Sequence, residues 1–175
     1  MDVNLDQLAN DISTMAITAV VNEWKAQGHN LSGKAISEIE TVTKFQINEL
    51  RITGLVLDYM AINNQGVPAN KIPYYPNSGR KESEYIKGLI KYAKRRMGAS
   101  DKEAKSIAFA IASKHKKEGM PTRASSKYSS TGKRTGFLET ALAKVEPDLL
   151  KLIERSIIYS IELTIMNFYK SILNR

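Results

Sequence analysis

The chain has 175 residues, with 26 Lys or Arg against 18 Asp or Glu and a formal net charge of +8. It has no cysteine, which excludes disulfides and thiolate metal sites. The length suits one domain with one core, the acidic start MDVNLDQLAND predicts no secretion through a signal peptide, and no apolar run is long enough to span a bilayer.

Asn4 with Gln7 three residues on forms a capping-box-like start, and Leu5, Leu8, Ile12, Met15 and Ala19 follow at helical spacing. This helix is expected to stop near Gln27, with Gly28 free to take the left-handed conformation that ends it. Trp24, one turn earlier, is expected to be buried. LSGKAISEIE predicts a short helical turn. The runs TVTKFQ, INELRITG and LVLDYMAI then predict two or three antiparallel strands within residues 40–65, although ISEIETVTKF also tolerates a helix. Leu50 and Ile52 alternate with Glu49, Arg51 and Thr53, the period of a strand with one buried face.

Prolines at 68, 73 and 76 predict an extended surface arm over 67–82. A helical hairpin over 83–118 follows. Its first helix gathers Tyr85, Ile86, Leu89, Ile90, Ala93 and Met97 on one face. Its second, capped by Ser100 and Glu103, carries the narrow stripe Ala104, Ile107, Ala108, Ile111 and Ala112. Gly98 joins them. Residues 119–135 have the glycine, hydroxyl and cation content of a flexible basic loop. Thr135 is the expected cap of helices over 136–173, with a break or kink near Glu146 ahead of Pro147. Beyond Pro147 the apolar positions recur at spacings of three and four to the end of the chain, and a second flank that includes Ile158, Met166 and Tyr169 is apolar too. Such a helix needs cover on more than one side, so these three residues are candidate intersubunit contacts.

Charge divides the chain. Lys71 to Arg134 holds 17 Lys or Arg against 5 Asp or Glu, a net of +12, which leaves 9 against 13, a net of −4, for the remainder. Repulsion among like charges contributes nothing to folding, so the division points to a partner surface. The candidate phosphate or partner contacts are Lys91, Lys94, Arg95, Arg96, Lys114, Lys116, Lys117, Arg123, Lys127, Lys133 and Arg134. Tyr74, Tyr75 and Arg80 are candidate assembly contacts on the arm.

Signals for catalysis are weak. The two histidines, His29 and His115, have no partner at metal-ligand spacing. GKRTG at 132–136 lacks the earlier glycine of a phosphate-binding loop. Glu84 and His115 would have to carry any phosphoryl-transfer chemistry. No catalytic residue, metal site or cofactor is expected, and the chain is not expected to be an enzyme.

GHNLSG, a short strand series and DYMAINNQG, followed by SEYIKGLIKYAKRRMG, AKSIAFAIASKHKKEGMPTR and GFLETAL, resemble tail-completion and head-tail connector proteins of tailed bacteriophages. The likeness covers most of residues 1–145; the long apolar helix after Pro147 exceeds what that family's small core requires. The resemblance implies an α+β fold with a small antiparallel sheet flanked by helices; with the helices read above, these are an N-terminal helix and a long C-terminal helix. It also implies a structural virion protein, assembled as a homo-oligomeric ring on the portal-to-tail axis. Its expected partners are the portal and adjoining ring or tail proteins, with non-specific contact to the DNA that passes through and no membrane. The expected location is the virion neck or tail, and the host cytoplasm during assembly. A DNA-binding protein that uses the basic hairpin is the alternative.

Overall fold

The computed structural model describes residues 5–29, 33–46, 49–76 and 83–173. The fold is α+β: mostly helical, with an N-terminal helix, a long C-terminal helix and one small antiparallel sheet. The chain divides into two compact units, one of residues 1–23, 38–56 and 138–175, the other of 24–37 and 57–137.

The first unit holds most of helix α1 (Leu5–Ala26), strands β1 (Glu40–Gln46) and β2 (Glu49–Leu55), and all but the first residue of helix α6 (Phe137–Leu173). Asn4, and with it the expected capping box, lies outside the described residues. Ala9, Ser13, Val20 and Glu23 are buried along α1, close to the three- and four-residue spacing of one helix face. Glu23 is only 3 % exposed, and its carboxylate accepts from Lys144 Nζ at 2.6 Å. The Lys144 side chain is 61 % exposed, so one end of this pair escapes the full cost of burial.

β1 and β2 pair antiparallel from Glu40 opposite Leu55 to Gln46 opposite Glu49. Ile52 is half-buried between exposed Arg51 and Thr53, as the alternation predicts; the side chain of Leu50 lies outside the described residues. Among the described residues two strands form, and no third. LVLDYMAI instead opens helix α3 (Asp58–Gln65), which buries Met60 and Asn64, one turn apart. That four-residue spacing is helical, and it outweighs the strand preference of the isolated Tyr and Ile residues.

α6 is a single helix of 37 residues with Pro147 inside it, so the expected break near Glu146 does not occur. Proline removes the N–H that would bond to Ala143 one turn back. Both residues are exposed, so that carbonyl can be hydrated, while a helical apolar pattern continues on either side. Thr135 is not the cap either: Gly136 directly precedes the helix, and its N–H donates to the Asn64 carbonyl at 2.9 Å.

The second unit is built on α2 (Lys34–Ser37), α3, α4 (Glu84–Met97) and α5 (Asp101–Glu118), with the end of α1. α4 packs on α5 through its buried Ile86 and Ala93 and the fully buried Ala104, Ala108 and Ala112. Alanine at these positions lets the two backbones approach closely. The Ser83 hydroxyl caps α4 by accepting from the Ile86 N–H at 3.3 Å, and Gly98 ends it in the left-handed conformation at φ 65°. The Glu103 carboxylate accepts from the Ser100 N–H at 3.0 Å and so closes the expected box on α5. Ile72 is buried, and a 3-10 turn at Ala69–Lys71 packs against α5, so this part of the proline-rich arm is docked.

Candidate functional site

The second unit forms a cavity of about 620 Å³ that opens to solvent. Its wall draws on the end of α1, the start of α2, one face each of α3, α4 and α5, and the segment 120–134. Residues 119–135 are therefore structured in part: they contain a 3-10 helix at Arg123–Tyr128, and Met120 bridges to Val67. The segment is tied to the end of α1, where the Ala26 carbonyl accepts from the Ser130 N–H at 2.8 Å and from the hydroxyls of Ser129 and Ser130. This closure explains Gly28. Its φ is +72°, and a Cβ there would stand 2.2 Å from the Tyr128 carbonyl oxygen.

Trp24, 1 % exposed, is the aromatic centre of the unit. The His29 ring stacks on it at 4.5 Å, and Phe137 meets it edge-on at 4.9 Å. Burial, reinforced by the nearby charge of Arg134, lowers the His29 pKa from 6.5 to about 4, against a hydrogen bond to the backbone of Arg134 that works the other way. His29 is therefore neutral near pH 7. Burial also lowers the pKa of Arg134; Tyr92 opposes this shift and Arg96 adds to it. Three buried polar atoms in this wall, Trp24 Nε1, His29 Nε2 and Arg134 Nε, have no hydrogen-bond partner among the described residues.

On the α4–α5 side, the Tyr85 hydroxyl and His115 Nδ1 are 2.6 Å apart. Burial pushes the Tyr85 pKa up to about 12 and lowers that of His115. The phenol thus keeps its proton and donates to a neutral imidazole. His115 is held as a packed helix residue, and among the described residues no group of three or more His, Asp or Glu side chains is placed to share a metal ion.

The structure separates the eleven candidate basic residues. Arg96, Lys127 and Arg134 line the cavity. Lys94 pairs with Asp101 at 2.5 Å, and Lys114 pairs with Glu118. Lys116 donates to the Ile72 carbonyl at 3.1 Å and lies 4.8 Å over the Tyr75 ring. The Arg123 N–H donates to the Glu118 carboxylate at 3.2 Å. Lys91, Arg95, Lys117 and Lys133 are exposed. On the arm, Tyr74 faces Phe109 at 6.3 Å, Tyr75 is exposed, and Arg80 lies outside the described residues.

Ile158, Met166 and Tyr169 are 48 %, 53 % and 62 % exposed on α6. They belong to a set of eleven exposed large apolar side chains between Leu150 and Leu173. Among the described residues no helix is long and apolar enough to cross a membrane.

Sequence reasoning missed the cavity, since Trp24, His29, Tyr92 and Arg134 converge from distant parts of the chain. No protein-family model, curated protein or solved structure matches this chain.

Proposed function

We propose that this chain is a structural virion protein of a tailed bacteriophage, assembling as a ring in the head-tail connector or tail. It would join portal-side to tail-side components around the DNA channel and act by adhesion, without catalysis. The observation that carries this reading is the apolar surface of α6. Single exposed apolar residues are ordinary, but eleven large ones within the last seven turns of one helix form a surface that association would cover. The charge division of the sequence supports head-to-tail contact between copies, with the +12 segment of one meeting the acidic remainder of the next. Rotational closure of such contacts gives a ring and avoids open filaments. The resemblance of the residues between GHNLSG and GFLETAL to phage connector proteins supplies the biological setting.

Electron microscopy of the purified chain, alone and mixed with a portal protein, tests the reading. Closed rings, or a ring docked on the portal, are expected. Monomers that leave the portal bare would remove it. The exposure of Lys91, Arg95 and Lys117 on the basic hairpin favours non-specific DNA contact as a second reading. A duplex titrated at several salt concentrations should then show affinity falling steeply with the logarithm of salt.

A further inference from the structure

We propose that the cavity of the second unit is a binding site for a small aromatic anion, a flat ring system bearing a carboxylate or phosphate. This goes beyond the ring-protein reading and does not depend on it. A volume of about 620 Å³ lies within the range of sites that enclose small organic ligands. The wall is unusual in composition. It presents Trp24, Tyr92 and Tyr128 together with Arg96, Lys127 and Arg134, and among the described residues no Asp or Glu lines it.

A cavity whose described wall carries several cations and no carboxylate favours an anionic occupant, because like charges held together gain from a shared counter-ion. The aromatic faces favour a flat one, and guanidinium groups both pair with carboxylate or phosphate and stack on rings. Arg96 and Lys127 are exposed residues of the wall, the cations most accessible to an occupant. The buried Nε of Arg134 and Nε1 of Trp24, unpartnered among the described residues, are donors that an anionic group could engage after a small side-chain shift. His29 is neutral and does not supply the charge; it fixes the Trp24 ring by stacking on it.

Trp24 is the sole tryptophan, so its fluorescence reports occupancy of the intact chain directly. The titrants are adenosine monophosphate and 1-naphthoate, with adenosine and 1-naphthamide as uncharged counterparts and inorganic phosphate as an anion without a ring. At least one aromatic anion should saturate with a Kd below about 1 mM, and its uncharged counterpart should bind at least about tenfold more weakly. Adenosine monophosphate alone would assign a phosphate headgroup, and naphthoate alone a carboxylate. Arg96→Gln, an exposed change, should weaken binding about tenfold with the circular dichroism unchanged. Arg134→Gln should weaken it further, and Arg96→Gln carries the test if Arg134→Gln fails to fold. Four results would each overturn the proposal: no saturation by either anion, equal binding of the uncharged forms, phosphate binding as tightly as the aromatic anions, or an Arg96→Gln variant that binds as the parent does.

Discussion

Replacing Phe137 by alanine removes the side chain that closes the aromatic cluster of the second unit. Phe137 is fully buried and meets the Trp24 ring edge-on at 4.9 Å, with His29 6.0 Å away on the same cluster. Truncating a buried phenylalanine costs about 3–5 kcal/mol, of which an aromatic pair accounts for roughly 0.5–1.5. In a chain of this size each 1 kcal/mol lowers the melting temperature by about 2–4 °C, so a fall of roughly 6–20 °C is expected. Phe137→Leu keeps most of the apolar volume but loses the ring contact, and should cost about 1–2 kcal/mol. Urea unfolding followed by Trp24 fluorescence measures both variants from within the cluster. A loss below about 1 kcal/mol for Phe137→Ala would refute the claim that this contact organises the unit.

The α4–α5 contact makes a separate prediction. Ala108 is fully buried where the helices pack, so Ala108→Leu should overpack the seam and cost about 1–3 kcal/mol in a chemical-denaturation measurement. A neutral result would mean that the helices do not approach closely there. Acid makes another. Both histidines are held below their ordinary value of 6.5, His29 at about 4, so folding favours the neutral rings. This stabilisation is fully present above pH 6.5 and is lost as pH falls towards 4. Solvent screening of the half-buried His29 ring reduces its share to about 1–2 kcal/mol. An NMR titration that places His29 near 6.5 would contradict the assignment.

The sequence reveals structure where local pattern and tertiary packing agree. The alanine stripe of α5, the Ser100–Glu103 cap and the turn at Gly98 are each legible in a few residues, and each holds. α3 was obscured because Leu, Val, Tyr and Ile suit either a strand or a short helix; the deciding feature, burial of Met60 and Asn64 together, comes from tertiary packing. Pro147 misleads for a related reason. A proline marks a probable break, but hydration of an exposed carbonyl and a long apolar pattern can carry the helix through it. The cavity was the least legible feature. Trp24 and His29 lie more than 60 residues from Tyr92 and more than 100 from Arg134, and no local pattern connects them. The apolar flank of α6, in contrast, follows from helical spacing alone, and Ile158, Met166 and Tyr169 are exposed there.

The proposed adhesion through α6 is tested most directly by the solution mass of the chain beside that of an Ile158→Glu, Met166→Glu double variant. Light scattering should give a multi-subunit mass for the parent chain and a monomer for the variant, with helical circular dichroism retained in both. A parent chain that stays monomeric as its concentration rises, or a variant that assembles to the same mass, would contradict it.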